Sequence, residues 1–211
     1  MPIEKEKLLA EVAEYYSDKF ARFGETPNGV DWNGAESQSL RFEQLCKVID
    51  QEGAFSVNDL GCGYGAMFEF LRSNFRDFSY RGSDITDDTI RAARVRHRAS
   101  SNACFETANA PSDKADYGIA SGVFNVRQQR TDSEWLAYLK DMLDILDATS
   151  IKGFAFNCLT SYSDEDKKRA YLYYADPCAL FDYCKTRFSR HVALLHDYGL
   201  YEFTILIRKQ Q

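Results

Sequence analysis

The stretch VNDLGCGYGAMFEFL, Val57–Leu71, constrains the fold more than any other part of the chain. An apolar run ends in an acid, Asp59. Gly61, Gly63 and Gly65 follow within five residues, and then a helix-like pattern begins. A chain gives up side chains where its backbone must turn sharply or be approached closely. A strand that meets a helix through such a turn aims the free N–H groups of the helix start at whatever lies in front.

The remainder of the sequence repeats the same alternation. Apolar runs suited to buried strands occur at 54–60, 78–83, 103–107, 116–121 and 151–158, with helical patterns at 64–75, 86–99 and 132–147. Strands that alternate with helices predict a parallel sheet covered on both faces. The C-terminal part differs. After a helix at 177–186, RHVALLHDYG and LYEFTILIRK are joined only by Asp197, Tyr198 and Gly199. So short a link forbids a parallel crossover and predicts an antiparallel hairpin. Upstream, Leu8, Leu9, Val12, Tyr15, Tyr16 and Phe20 give residues 4–23 a helical spacing. A polar loop follows, and then a second helix started by Ser37 or Ser39 and ended by Gly53.

Bulk properties exclude several classes. The 211 residues suit one domain, or one domain with a cap, and the hydrophobic share of 45% suits a globular core. A net charge of −6 without a long basic run argues against nucleic acid and against an anionic membrane. The cluster Arg91, Arg94, Arg96, His97 and Arg98 is expected to be a solvated helix end. Six cysteines without a C-x-x-C pair, and only three histidines, predict free thiols and no zinc site. No signal-peptide core and no membrane-length apolar run are seen, so a cytoplasmic location is expected.

The glycine turn alone is a weak sign of ligand binding, because a tight turn can be only a tight turn. Three further features sit where a nucleoside site needs them. Asp84, 19 residues after Gly65, ends the second strand, where a carboxylate accepts from both ribose hydroxyls. Its bland alternative is a helix N-cap, a role that Thr86 can fill instead. Asp59 is a carboxylate at a strand end, costly in a core without a task. Ala108 and Asn109 follow the third strand, where an adenine ring would lie.

Taken together, VNDLGCGYGAMFEFL, SDI, TANAP and ADYGIASGVFNV resemble the class I S-adenosylmethionine-dependent methyltransferases over residues 54–208. The resemblance implies an α/β fold, a Rossmann-like three-layer sandwich. Its mostly parallel seven-stranded sheet has the order 3-2-1-4-5-7-6 with a reversed last strand. It implies S-adenosyl-L-methionine as cofactor and S-adenosyl-L-homocysteine as product. It places Asp59, Gly61, Cys62 and Gly63 along the methionyl part, Asp84 on ribose, Ile85, Ala108 and Asn109 about adenine, and Ser121 and Gly122 beneath the methionyl group. The chain departs from the family after the third strand, where many members carry an acid. A nicotinamide-dependent oxidoreductase and a non-catalytic binding module of the same fold are the alternatives.

Residues 1–53 are expected to form an N-terminal helical cap on a methyltransferase domain at 54–211. The acceptor is expected beyond the carboxyl ends of the strands. Trp32 is a candidate lid, or else a plug at the domain edge. Gln38 and Arg41 share a helix face, and Arg41 either neutralises the cofactor carboxylate or makes a surface salt bridge. Phe124 and Asn125 should point at the transferred methyl. Tyr162 and Tyr174 belong to a tyrosine-rich segment at 157–177. His196 is the best general base by residue type, or a structural histidine at a hairpin end. These loops should converge over the methyl. GVDWNGAESQ, YADPCALFDYCK and HDYGLYEF resemble bacterial methyltransferases of the small-molecule or saccharide-modifying kind. No N-P-P-Y-type tetrapeptide follows the fourth strand, so a nucleobase amino group or a protein glutamine is disfavoured, and a hydroxyl methylated without metal is the expected acceptor.

Overall fold

Capping chemistry sets where the helices of this protein begin. The computed structural model describes residues 2–30, 32 and 34–209, with side chains described from Glu6 onward. The elements run α1 (Pro2–Phe23), a 3-10 turn (Pro27–Val30), α2 (Ala35–Cys46), β1 (Phe55–Leu60), α3 (Ala66–Asn74), β2 (Phe78–Asp84) and α4 (Asp87–Arg96). Then come β3 (Ala103–Thr107), β4 (Ala115–Ala120), α5 (Asp132–Thr149), β5 (Ser150–Leu159), α6 (Pro177–Arg187), β6 (His191–Leu195) and β7 (Glu202–Arg208). Thr131 and Glu134 close a reciprocal capping box on α5. Asp176 accepts from the N–H groups of Cys178 and Ala179, with Pro177 in the first turn of α6. Helix α2 starts earlier than Ser37 or Ser39 would have it, at Ala35 after Gly34, which has no side chain to cap it, and it stops at Cys46 rather than Gly53.

The seven strands form one sheet of order β3-β2-β1-β4-β5-β7-β6. All neighbours are parallel except β7, which runs antiparallel to both β5 and β6. Strand order reverses between β1 and β4. Their carboxyl ends, Leu60 and Ala120, are register partners, which opens a crevice at the switch point. One core joins α1, α5 and α6 to the sheet around Trp135, Phe154, Phe156 and Phe203. The other joins α2, α3 and α4 around Phe68, Tyr117, Ile90 and Leu45. No described helix is long and apolar enough to cross a membrane.

Helices pack on both faces of the sheet as expected, and between β1 and β5 the crossover from β3 to β4 is the one break in the strand–helix alternation. The crossover from β3 to β4 is only residues 108–114 and carries no helix. It crosses the sheet held by polar side chains: Arg81 donates to Ser112 and pairs with Asp113, and Asn58 Nδ2 donates to the Asp113 carbonyl. The side chains beneath it, Ser56, Ser79, Arg81 and Cys104, are accordingly polar or exposed. Leu8 and Val12 of α1 pack beside Leu60, Ala120 and Leu139, so the N-terminal helix covers the crevice end of this face.

In the basic cluster at the end of α4, Arg91, Arg94, Arg96 and Arg98 are exposed as expected and only His97 departs from the expectation. His97 is buried, stacked on Phe105 at 5.3 Å and edge-on to Phe68 at 4.9 Å, while Arg96 pairs with Glu69 and Glu25.

Candidate functional site

A cleft of about 850 Å³, open to solvent, lies at the switch point. The turn after β1 forms its floor. Gly65 has φ +84°, and a Cβ there would lie 2.7 Å from His97 Nε2 and 3.0 Å from Phe105. Only glycine therefore lets α3 start this close to α4 and β3. Gly61 and Gly63 line the cleft, and the N–H groups of Gly61 and Cys62 donate to the Ser83 carbonyl of the neighbouring strand. The turn is thus bonded to β2 as well as to β1.

Asp84 stands on the wall at the end of β2. Its Oδ2 accepts from Gly63 N–H and its Oδ1 from Thr86 N–H, each at 2.9 Å. Burial raises its pKa, opposed by those two backbone donors. The N-cap alternative does not hold as stated, because Thr86 precedes α4 without making a side-chain cap. Instead the carboxylate ties the glycine turn to the start of α4, and each oxygen retains a lone pair toward the cleft. Ile85, Ala108 and Asn109 line the same wall.

A smaller lobe continues behind the turn and shares Val30, Gly61, Gly63 and Ser121 with the main cleft. Asp59, Cys62 and Gln38 line it. Asp59 is buried, and the Tyr80 hydroxyl donates to its Oδ2 at 2.5 Å. Burial lifts its carboxyl to about 7 despite that bond. A folded pKa above the unfolded value means that stability from this group is fully present below about pH 4 and is lost as pH rises through about 7. Asp59→Asn should therefore gain stability over the wild type as pH increases from 4 to 8. The gap should reach about 5–10 °C in Tm, followed by thermal unfolding at each pH. A pH-independent difference would contradict the assignment.

The turn after β4 carries Ser121, Gly122 and Asn125 into the cleft. Trp135 of α5 fixes it by donating Nε1–H to the Phe124 carbonyl at 2.8 Å. Asn125 lines the cleft, and its Oδ1 accepts from Leu159 N–H, so its amide N–H groups are not used in that bond. Ser121 Oγ is buried with no partner. Gly122 has φ +75°, and a Cβ there would lie 2.3 Å from the six-membered ring of Trp32. Trp32 thus lies against the backbone of this turn, in the cleft wall. Asp31 and Asn33 of its loop lie outside the described residues.

Arg41 does not make the expected surface salt bridge. It is buried, not at the surface, and pairs with Glu202 through two bonds of 2.8 and 2.7 Å. Its guanidinium stacks 4.1 Å from the Trp32 ring centroid, and its Nη1 is buried without a partner. Glu202 also accepts from Asn157 Nδ2 at 2.5 Å, and Asn157 Oδ1 accepts from Gly122 N–H at 2.8 Å. A chain of buried polar contacts so connects α2, β7 and β5 to the turn beneath Trp32.

The expected convergence of 157–177 and the hairpin end over the cleft is corrected. Phe124 points away from the cleft into the core against Phe156. Tyr162 is 67% exposed and His196 is exposed; they lie against each other outside the cleft lining. Tyr174 accepts from the Arg169 N–H and also lies outside it. Sequence reasoning missed the wall supplied by Leu9, Val12 and Tyr16 of α1 and by Tyr138 and Met142 of α5. It also missed Asn157 and Glu202, although a lone polar residue in an apolar strand was the signal that had singled out Asp59.

No family model matches the chain. A Mycobacterium tuberculosis protein named "Putative methyltransferase Rv1506c" is 53% identical over 163 residues, which is 77% of this chain and 98% of that protein. Among solved structures, the N-methyltransferase NodS from Bradyrhizobium japonicum, crystallised with S-adenosyl-L-homocysteine, superposes with a TM-score of 0.66. It covers 94% of this chain and 98% of its own at 14% identity. DhpI in complex with SAH gives 0.63, covering 95% and 96% at 13% identity. These two share the seven-stranded methyltransferase fold with this chain.

Proposed function

This chain belongs to the methyltransferase family of its mycobacterial relative, and from that premise we propose that it binds S-adenosyl-L-methionine and transfers the methyl group to a hydroxyl of a small molecule or saccharide, without a metal ion. The observation that carries the cofactor reading is the two-lobed cleft. An acid stands at the end of β2 on one side of the glycine turn and a buried acid behind it on the other. The residues present fit the group. Asp84 would accept from ribose hydroxyls, Ile85, Ala108 and Asn109 would flank adenine, and Asp59, Gly61, Cys62, Gly63 and Gln38 would surround the methionyl end. Ser121 Oγ, buried and unpartnered, would find a partner there.

When bound, the cofactor supplies a methyl on a sulfonium whose leaving group is a neutral thioether, so the protein's task is chiefly alignment. Proximity of this kind supplies about 7–11 kcal/mol. Trp32 and the apolar wall of α1 exclude water, and Asn125 offers its amide N–H groups to hold the acceptor oxygen. The exposed position of His196 does not support a general-base role; in this reading alignment carries the step, the oxygen–methyl bond forms as the sulfur–methyl bond breaks, and the acceptor's proton leaves to solvent through the open cleft.

Incubation with methyl-labelled cofactor and pooled small hydroxylated metabolites and saccharides tests this. Label is expected in a low-molecular-weight product stable to mild base, as a methyl ether is. Base-labile label would indicate a carboxylate acceptor. Label only in macromolecules, or no label from a protein that binds the cofactor, would contradict the proposal.

A further inference from the structure

The sheet ends in two open edges, β3 and β6. An open edge is a template for another strand, and proteins guard it with charge, proline or a covering group. The β3 edge is guarded. Ala108 N–H donates to the Asp84 carbonyl and Tyr80 N–H to the Asn102 carbonyl, so even-numbered residues of β3 face β2 and odd-numbered ones face outward. The outward carbonyl of Phe105 accepts from Arg94 Nε at 2.9 Å, and Glu106 adds a charge to the strand.

Strand β6 has no such guard. Thr160 N–H donates to the Tyr201 carbonyl and Lys209 N–H to the Lys152 carbonyl, so odd-numbered residues of β7 face β5 and even-numbered ones face β6. Through the register these bond His191, Ala193 and Leu195, which leaves the backbone groups of Val192 and Leu194 pointing out of the sheet. Val192, Ala193, Leu194 and Leu195 are all apolar and only half-buried. The two ends of the strand differ in charge. Arg190 precedes it and Asp197 follows it; both are exposed, and neither forms an ion pair with a described residue.

We propose that β6 pairs antiparallel with β6 of a second copy of this chain, across a two-fold axis through Leu194. Leu194 then exchanges both backbone bonds with its counterpart, and Val192 does so with His196 of the copy. The basic end at Arg190 and His191 lies beside Asp197 of the copy, and the same pairing recurs at the other end of the ladder. Centring the axis on Ala193 would instead set Arg190 against His196 and call on the Arg190 carbonyl, which already accepts from Lys185 Nζ at 2.7 Å. Helix α6 shares a core with Val192 and Leu194, so the axis also brings α6 beside its copy and extends the contact past the ladder. The parallel strands of the two copies run in opposite directions, so the clefts open at opposite ends of one continuous sheet and each chain keeps a complete cleft.

Sedimentation velocity across a concentration series tests this. The wild type is expected to reach twice the chain mass. Leu194→Pro removes an outward N–H that the β6–β7 ladder does not use. Asp197→Arg sets like charge beside Arg190 of the copy from an exposed position. Each should raise the dissociation constant of the dimer about tenfold or more, with circular dichroism unchanged. Adding Arg190→Glu to Asp197→Arg should bring the constant back toward that of the wild type. A wild type that stays monomeric throughout would overturn the proposal. So would a dimer whose constant stays within twofold in Asp197→Arg, which would put the interface elsewhere. If Leu194→Pro fails to fold, Asp197→Arg and its reversal decide alone. The readout is mass, so the result stands apart from the cofactor reading.

Discussion

Asp84→Ala should weaken S-adenosyl-L-homocysteine by about 10²–10⁴-fold, enough to make binding hard to detect. Two hydrogen bonds from ribose to a charged acceptor are each worth about 1.5–3 kcal/mol, and every 1.4 kcal/mol is about tenfold. A second effect adds to the first. The carboxylate is the acceptor for Gly63 N–H and Thr86 N–H. Alanine leaves both donors unpaired at the wall, so the glycine turn loses the tie that holds it against α4. Asp84→Asn should bind poorly as well, because one of its two positions becomes an NH₂ that faces a backbone donor. Calorimetry gives the affinity and circular dichroism checks that the fold persists. A folded Asp84→Ala protein with affinity within threefold of wild type would remove Asp84 from the site.

The second large effect concerns stability. Arg41→Met should cost about 3–5 kcal/mol, because it leaves Glu202 charged, about 1% exposed, with only Asn157 as a side-chain donor. At roughly 2–4 °C per kcal/mol for a chain of this size, Tm should fall by about 6–20 °C. Removing the other partner as well, in Arg41→Met with Glu202→Leu, should recover most of that loss, since a buried ion pair is often replaceable by apolar groups of similar volume. The double variant should still bind cofactor less well. Trp32 has lost the guanidinium it stacks on, and Asn157, which orients the Gly122 N–H, has lost its acceptor. If the single variant were as stable as wild type, the pair would not be the buried link described here. If the double variant stayed as unstable as the single, loss of packing rather than an unpaired charge would be the cause.

Much of this molecule was legible from its sequence for identifiable reasons. Strand and helix periods differ by nearly a factor of two, so the alternation from 54 to 159 stood out. The short link at 197–199 could only make a hairpin, as β6 and β7 do. The glycine turn and Asp84 could be placed because their task is written in backbone geometry at fixed distances along the chain. The absence of a crossover helix was also legible, since no helical pattern falls between 107 and 116. FSYRGS and ACFE alternate apolar with polar residues, which is the mark of a strand with one solvated face, and 108–114 is too short for a helix and two turns.

The acceptor side was less legible because it depends on distances between elements far apart in sequence. Tyr162 and His196 have the right residue types, but the loops that carry them turn outward. Phe124 faces inward because Trp135 pins its carbonyl. Leu9 and Tyr16 look like ordinary core residues on a helix stripe. Only the packing of α1 against the crevice makes them part of its wall. Arg41 looked exposed because nothing local tells a helix of residues 35–46 that a glutamate 161 residues later will meet it.

Calorimetric titration of the purified protein with S-adenosyl-L-homocysteine tests the central claim most directly. The two-lobed cleft predicts one site per chain and a dissociation constant in the micromolar range, together with a rise in Tm at saturating ligand. Absence of heat and of any thermal shift at millimolar ligand, in a protein shown to be folded, would contradict it.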